Sequence, residues 1–315
     1  MLKQKLCYHN DDISYFSLSS PVRGKSLVEN LIFFLEQPRQ GQELGREDRF
    51  KKKQIIDMEN RFALVTGGSS GIGYAYAEEW ARKGYNILIV SNREDLNEES
   101  QKKLQPQFPE QKILTRYQDL TAENAAQELF DFCERENLIV EVLVNNAGMF
   151  YFGAAVEKPM ALSHKMTMLH STTPADLCVL FGKAMKDRGC GYILNASSIT
   201  AYMGFPTIAV YQASKSYLLK FSKGLHHELS HHGVKVCCVC PGAVDTDLYN
   251  LPVKMRKRLR AIGVMLSPEQ IAKRGVRATL HGRKVKIPGC INYFFLLMCF
   301  LLPGFVVDLV KKKFV

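Results

Sequence analysis

The sequence lacks the pattern of a disulfide-rich or zinc-binding chain. Its nine cysteines are odd in number and are scattered along 315 residues. This distribution argues for reduced thiols in a cytoplasmic compartment, because secreted disulfide frameworks use an even number of cysteines at regular spacing. Cys237, Cys238 and Cys240 fall in an apolar run that predicts a buried strand, and we interpret them as small core residues.

No hydrophobic run reaches the roughly 20 residues that a membrane-spanning helix requires. The run from Leu31 to Leu35 is short, and the 17 residues from Ile291 to Val307 are interrupted by Pro303-Gly304. An interfacial anchor, the wall of a hydrophobic substrate pocket and an oligomer contact are three open interpretations of the second run. Residues 1–57 also lack the basic, apolar and small-residue order of a signal peptide.

Residues 1–57 mix proline, glycine and charge without sustained periodicity. Met58 stands just before the first predicted strand. We therefore hypothesise that residues 1–57 are an extension outside the fold that is not translated. An intact-protein mass that starts at Met1 would contradict the start-site idea.

The positive charge is concentrated near the C-terminus. The net charge is +11, and residues 245–315 carry 14 basic against 4 acidic side chains. Within residues 251–266 the basic side chains interleave with apolar ones, which predicts an amphipathic basic helix. Such a helix suits an anionic lipidic substrate or a membrane surface, and an ordinary solvated basic face is the alternative.

Short apolar runs alternate with helical patterns from Arg61 onward. The predicted strands cover residues 61–66, 86–90, 112–116, 140–144, 191–196, 234–240 and 284–287. The predicted helices cover residues 72–83, 95–104, 122–136, about 163–187, 208–231 and 268–280. This βαβ rhythm predicts an α/β fold with a doubly wound parallel sheet, whose ligand lies at the carboxyl ends of the strands.

Tyr211 and Lys215 stand four residues apart within the predicted helix at 208–231. Residues at this spacing lie one turn apart on the same helix face, so the ammonium can lie near the phenol. A nearby cation favours the phenolate and lowers a tyrosine pKa that is otherwise about 10. The pair therefore indicates a tyrosine that donates or accepts a proton near neutral pH.

Three further motifs follow predicted strands. After the first strand comes Thr66-Gly67-Gly68-Ser69-Ser70-Gly71-Ile72-Gly73. Its glycines allow a tight turn and a close backbone approach to a pyrophosphate at a helix N-terminus. Asn145-Asn146-Ala147-Gly148 follows the strand at 140–144, and Ser198 follows the strand at 191–196, thirteen residues before Tyr211. Each motif alone is weak evidence of a nucleotide-binding fold, whereas the ordered set is far more specific.

Together with Pro241-Gly242, these motifs resemble the classical short-chain dehydrogenase/reductase family from about Arg61 to Pro288. The resemblance implies a single Rossmann-type domain that transfers hydride between a nicotinamide and a carbonyl or alcohol. It implies that Tyr211 is the acid/base, that Ser198 hydrogen-bonds the substrate oxygen, and that Lys215 holds the ribose. The expected catalytic domain covers residues 58–290, including a lid at 245–266, and an apolar and basic tail follows at 291–315.

The resemblance also assigns cofactor contacts to the motifs and strand ends. The expected cofactor-binding residues are Thr66, Gly67, Ser69, Ser70, Gly71, Ile72, Gly73, Asn92, Arg93, Asp119, Asn145, Ala147, Gly148, Tyr211, Lys215, Pro241, Gly242, Val244 and Thr246. The second strand ends without an acid for a ribose 2′-hydroxyl, while Arg93 can accept a 2′-phosphate. Because Asn92 and Ser70 are neutral, the preference for NADP(H) over NAD(H) is slight. Asp119 is expected at the adenine edge, and capping the helix that begins near Thr121 is its alternative role.

His170 is the clearest departure from the family. It stands where classical members carry an asparagine that holds a water between the lysine and solvent. An imidazole can replace those hydrogen bonds, but it titrates near pH ~6.5. We therefore expect His170 to be a fourth catalytic residue that gives turnover a pH step. The alternative is a helix histidine satisfied by a backbone carbonyl.

The segment His227-Glu228-Leu229-Ser230-His231 matches the zinc motif His-Glu-x-x-His. It continues the helix of Tyr211 away from the expected cleft, so we interpret it as a polar helix end and expect no metal.

The sequence thus predicts an NAD(P)-dependent oxidoreductase for an apolar, acid-bearing substrate such as a steroid or fatty acyl compound. A catalytically weak nucleotide-binding scaffold or membrane-associated protein is the alternative, which the intact set of Ser198, Tyr211 and Lys215 disfavours. We expect a cytoplasmic homo-oligomer without a nucleic-acid partner, and we leave a peripheral membrane contact open.

Overall fold

The computed structural model describes residues 60–245, 255, 258–260 and 263–301, with residues 299–301 described by their backbone alone. The predicted extension at 1–57, much of the lid, Thr246 and the end of the tail therefore lie outside the described residues. Within the described part, none of the helices combines the length and the hydropathy that crossing a bilayer requires.

Seven parallel strands form the central sheet in the order β3-β2-β1-β4-β5-β6-β9. They are β1 (Arg61–Thr66), β2 (Asn86–Ser91), β3 (Ile113–Tyr117), β4 (Ile139–Asn145), β5 (Gly191–Ala196), β6 (Val234–Val239) and β9 (Val285–Lys286). A separate parallel pair is formed by β7 (Ala243–Val244) and β8 (Met265–Leu266). The strand order reverses between β1 and β4, which opens a crevice at their carboxyl ends. The predicted doubly wound sheet is confirmed.

Helices cover both faces of this sheet. They are α1 (Gly71–Ala81), α2 (Glu94–Leu104), α3 (Ala125–Arg135), α4 (Met160–Thr167), α5 (Thr173–Arg188), α6 (Ala209–Ser230), α7 (Pro268–Leu280) and α8 (Cys290–Leu301). Trp80 of α1 and Val276 of α7 pack on one face, and Phe181 of α5 and Leu225 of α6 pack on the other. Side chains of each strand alternate between these two cores, as a pleated strand requires.

The cysteines of β6 follow this alternation. Cys237 packs in the core under α1 and α7, whereas Cys238 and Cys240 pack on the opposite face. All three side chains are fully buried. The prediction that they are small core residues is confirmed.

The long helical stretch predicted at about 163–187 is present from Met160 to Arg188, but it is not one regular α-helix. A π-helical turn, Met168–Thr172, separates α4 from α5. Pro174 stands in the first turn of α5 and has no backbone N–H, so the carbonyl of His170 lacks the donor that an uninterrupted α-helix would supply. This turn carries His170 into the crevice beside Tyr211.

Candidate active site

A cavity of about 600 Å³ lies at the carboxyl ends of the parallel strands. Loops that follow β1, β2, β3, β4, β5 and β6 all contribute to its lining, and so do side chains of α6. The four expected catalytic residues, Ser198, Tyr211, Lys215 and His170, all line it. The fold therefore brings together motifs that stand between Gly67 and Gly242 in the sequence.

Tyr211 and Lys215 lie one turn apart on α6, as their spacing predicts. The Lys215 Nζ lies 5.8 Å from the centre of the Tyr211 ring and donates a hydrogen bond to the Ala196 carbonyl at 2.9 Å. Both side chains are buried. Burial lowers the pKa of Lys215 from 10.5 to about 8, because an ammonium loses hydration in the interior. A cation is thus held beside the phenol at neutral pH.

Two serines at the end of β5 complete this part of the cavity. The Ser198 hydroxyl accepts a hydrogen bond from the backbone N–H of Thr200 at 3.2 Å and lines the cavity with Tyr211. The Ser197 hydroxyl donates to the Lys215 carbonyl at 2.8 Å. The end of β5 is therefore fastened to the backbone of α6, and this fixes the position of Ser198 relative to the tyrosine.

His170 connects the loop after β4 to α6. Its Nε2 accepts a hydrogen bond from the Met149 N–H at 2.9 Å, so the ring proton resides on Nδ1. Nδ1 then donates to the Ser214 hydroxyl at 3.0 Å, which in turn donates to the Tyr211 carbonyl at 2.7 Å. The ring is 1% exposed and lies 5.5 Å from the Tyr211 ring. The histidine is satisfied by a backbone amide and a hydroxyl, not by the carbonyl that the sequence alternative assumed.

The pH step expected from His170 conflicts with this environment. Burial, followed by the charge of Lys215, holds the pKa of His170 well below its usual value of 6.5. The imidazole therefore stays neutral at physiological pH. A role in proton relay through neutral hydrogen bonds remains a prediction.

We expect turnover of the wild type and of His170→Asn to show the same pH dependence between about pH 6 and 8, where a neutral imidazole does not titrate. His170→Ala should lower turnover at every pH in this range by about tenfold, because two buried partners lose their hydrogen bonds. Steady-state kcat across the pH range checks both. A step near pH ~6.5 that only the wild type shows would mean that the imidazole titrates.

The glycine-rich turn presents the N-terminus of α1 to the cavity. Gly67 and Gly71 have φ values of +63° and +54°, which residues other than glycine rarely adopt. The side chain of the N-cap residue Ser70 accepts no hydrogen bond from the first turn, and that turn contains no acidic residue. The backbone N–H groups of this first turn and the positive end of the helix dipole together favour binding of an anion. The turn therefore fits the pyrophosphate of a dinucleotide.

Three expected cofactor contacts do not line the cavity. Thr66 instead accepts hydrogen bonds from the backbone N–H groups of Asn146 and Ala147, at 2.9 and 3.1 Å. The Asn145 side chain turns inward and donates to Asn195 at 2.9 Å. Gly73 packs against the carbonyl of Gly67. The three residues shape the turn and the strand ends from behind, and their direct contact with the cofactor stays a prediction.

Asn146, rather than Asn145, lines the cavity. Its side chain donates to the carbonyls of Thr66 and Gly67 at 3.2 and 3.3 Å, which joins the two loops that flank the crevice. The sequence offered one indication of this role, because Asn146 is the second asparagine of the motif Asn145-Asn146-Ala147-Gly148. Gln118, Ser197 and Met149 also line the cavity, and no motif in the sequence points to them.

The end of β2 holds the residues expected to choose the cofactor. Asn92 and Arg93 line the cavity, and the Arg93 guanidinium forms a double contact with the Asp95 carboxylate at 3.1 and 3.2 Å. Hydrogen bonding between them raises the pKa of Arg93 and lowers that of Asp95. A 2′-phosphate would therefore compete with Asp95 for this guanidinium.

Asp119 lines the cavity from the loop that follows β3. Its carboxylate accepts hydrogen bonds from the N–H and the hydroxyl of Thr121, at 2.9 and 2.8 Å. The following helix α3 begins only at Ala125, so Asp119 closes a local turn and is not the helix cap. Asp119 is exposed, and its expected contact with the adenine stays a prediction.

An apolar wall stands beside Tyr211. The ring of Phe150 meets the Tyr211 ring edge to face at 4.8 Å and the Phe152 ring at 4.6 Å. Phe205 and Val210 pack in the same cluster. Phe152 is 59% exposed, so the wall extends from the buried phenol to the surface.

Comparison with known proteins identifies the family. The sequence model described as short chain dehydrogenase matches residues 61–256. The chain belongs to the short-chain dehydrogenase/reductase family. As a member, it is an oxidoreductase that uses NAD(P)(H) and interconverts CH–OH and carbonyl groups. The Rossmann-type sheet and the residues at its carboxyl edge agree with this assignment.

Two relatives and one solved structure illustrate the similarity. The 3alpha-hydroxysteroid dehydrogenase of Mediterraneibacter gnavus is 30% identical over 68% of this chain and 88% of that protein. The very-long-chain 3-oxoacyl-CoA reductase of Bos taurus is 28% identical over 69% of this chain and 67% of that protein. The bulky-bulky ketone specific alcohol dehydrogenase from Comamonas testosteroni superposes with a TM-score of 0.63 at 28% identity, covering 72% and 85% of the two chains.

Proposed function

We propose that this enzyme interconverts a secondary alcohol and a ketone on an apolar substrate of the steroid or fatty acyl class. The apolar wall that begins at the Tyr211 ring carries the proposal, because burial of hydrocarbon against Phe150 and Phe152 would stabilise the bound substrate. The steroid and acyl-CoA activities named for two relatives support the same class.

In the proposed reaction the chain's own residues handle the substrate oxygen. Tyr211 gives its phenolic proton to the carbonyl oxygen in reduction and takes it back in oxidation. Ser198 donates a hydrogen bond to the same oxygen, and the Lys215 ammonium favours the phenolate. The bound nicotinamide supplies or accepts the hydride. The cavity residues of the glycine turn would hold its pyrophosphate, and Lys215 would hold its ribose.

The proposal extends to the cofactor form and to the substrate's charge. NADP(H) is favoured because Arg93 is present and β2 ends without an acid. An acidic group on the substrate would meet the basic lid. Within the lid, Arg258 is exposed and Arg260 pairs with Asp245 at 3.0 Å. Lys254, Arg256 and Lys257 lie outside the described residues.

We further propose a cytoplasmic homo-oligomer that can contact a membrane from its surface. The seven cysteines within the described residues form no disulfide, which suits a reducing compartment.

A substrate panel tests the proposal. Matched ketones that share the reacting group but carry a steroid, an acyl chain or a sugar skeleton should be turned over with kcat/KM at least about tenfold higher for the apolar members. Nicotinamide absorbance with NADH and with NADPH measures both rate and cofactor preference. Phe150→Ala should raise KM for apolar substrates and leave a small water-soluble ketone unaffected. Equal rates for the sugar and apolar ketones would contradict the proposal.

A further inference from the structure

Helix α8 carries an apolar face that the fold leaves uncovered. Leu296 packs against the cluster of Ile199 and Leu219, and Asn292 is buried beside it. The exposed apolar side chains of α8 are Ile291, Tyr293, Phe294, Phe295, Leu297 and Met298. At 3.6 residues per turn they span an arc of about 200°, opposite the packed side. Phe294 is 62% exposed and Leu297 is 55% exposed. We call these six side chains the apolar face.

The apolar face does not belong to the active site. Among the described residues, none of α8 lines the cavity that holds Tyr211. Of the three open interpretations of this segment, the described part of α8 thus gives no support to the wall of the substrate pocket. The 12 described residues of α8 measure about 18 Å, which is less than the thickness of a bilayer.

A basic groove of about 710 Å³ adjoins the apolar face. Its charged and titratable lining residues are Arg274, Arg277, His281, Arg283 and Lys286, and within the described residues no acidic side chain lines it. Cys290, Ile291 and Tyr293 of α8 form part of the same lining. Charge and exposed hydrocarbon thus form one continuous surface.

We propose that the apolar face and the basic groove together dock on an anionic lipid surface. The groove would take anionic headgroups, and the apolar face would enter the boundary between headgroups and acyl chains. This surface goes beyond the catalytic function, and it is separate from the catalytic cavity.

Charge argues against the two other occupants. Residues 302–315 of this chain carry Lys311, Lys312 and Lys313 against the single acid Asp308, so they do not complement a basic groove. A second copy related by a two-fold axis would place an identical basic groove near the first, and like charges would repel. An anionic bilayer supplies negative charge that complements the basic groove and an apolar layer that covers the apolar face.

Vesicle sedimentation with the full chain tests the charge. The protein should pellet with vesicles of phosphatidylcholine mixed with phosphatidylglycerol and not with phosphatidylcholine alone, and added salt should release it. The triple variant Arg274→Gln, Arg277→Gln, Arg283→Gln should bind about 100-fold more weakly, at roughly fivefold per charge. The control triple Lys83→Gln, Lys112→Gln, Lys186→Gln removes the same charge from other exposed sites and should bind as the wild type does.

A second pair of variants tests the apolar face. Phe294→Ser with Leu297→Ser should weaken vesicle binding by about tenfold or more, because both side chains would leave the lipid. Val179→Ser with Tyr217→Ser removes exposed apolar groups from α5 and α6 and serves as the control. Circular dichroism melting verifies that each variant is folded.

Three outcomes would overturn the proposal. The first is equal binding to neutral and anionic vesicles. The second is binding to nucleic acid or an acidic polymer that the groove variant abolishes and the Phe294 and Leu297 variant leaves intact. The third is a dimer in sedimentation velocity that only the Phe294 and Leu297 variant dissociates, with no vesicle binding, since a second copy would then cover the apolar face.

Discussion

Tyr211→Phe should lower turnover by about 10² to 10⁴-fold while nucleotide affinity stays close to that of the wild type. The substitution removes only the phenolic oxygen, which is the proposed proton donor and acceptor. The remaining ring keeps its edge-to-face contacts with Phe150 at 4.8 Å and His170 at 5.5 Å. The cavity therefore keeps its shape, and the loss falls on the chemical step.

The measurement is kcat with the best substrate of the panel, together with nucleotide binding followed by calorimetry. Tyr217→Phe makes the same chemical change on the same helix, where Tyr217 stacks on Phe221 at 6.1 Å and is half exposed. That control should keep the wild-type turnover. Unchanged turnover in Tyr211→Phe would remove the tyrosine from the mechanism and favour the nucleotide-binding scaffold.

The central sheet could be predicted from the sequence because its strands are short apolar runs separated by helical patterns. In a parallel sheet both faces are buried, so runs such as Phe62 to Val65 are apolar throughout and stand out from their surroundings. The pair formed by β7 and β8 could not be predicted, since each strand has two residues and their pairing joins positions about 20 residues apart. Helix α8 was missed because a uniformly apolar segment has no helical period.

The positions of the catalytic side chains could also be predicted, but their partners could not. The spacing of Tyr211 and Lys215 fixes their common helix face through local geometry alone. The tautomer of His170 depends instead on Met149 and Ser214, which are 21 and 44 residues away in sequence. Such contacts arise only when the fold brings separate elements together. The same packing buries the ring beside Lys215, and this keeps the imidazole neutral.

Which of Asn145 and Asn146 lines the cavity could not be predicted for a similar reason. Successive side chains at the end of β4 point to opposite sides, so one asparagine must face the interior. The sequence shows two identical side chains and does not indicate which one faces inward. Asn195 on β5 decides this, because it accepts the Asn145 hydrogen bond at 2.9 Å in a fully buried position.

Gly73→Ala should weaken nucleotide binding by about 10- to 100-fold, in line with the ~1–3 kcal/mol typical of overpacking. An added Cβ would lie 2.0 Å from the Gly67 carbonyl oxygen and 2.5 Å from the Asn146 Nδ2. Neither neighbour can yield freely, because Asn146 is held by hydrogen bonds to the carbonyls of Thr66 and Gly67. The start of α1 must then move away from the glycine turn, and its amides move with it.

Binding of NADH and NADPH by calorimetry measures this effect, and thermal unfolding reports the accompanying loss of stability. Gly224→Ala is the matched control, since Gly224 lies within α6 and no heavy atom stands within 4 Å of its added Cβ. That variant should bind nucleotide as the wild type does and gain roughly 0.5–1 kcal/mol of stability, because alanine costs less backbone entropy in a helix. If Gly73→Ala binds both nucleotides normally, the close packing of α1 against the turn does not position the pyrophosphate.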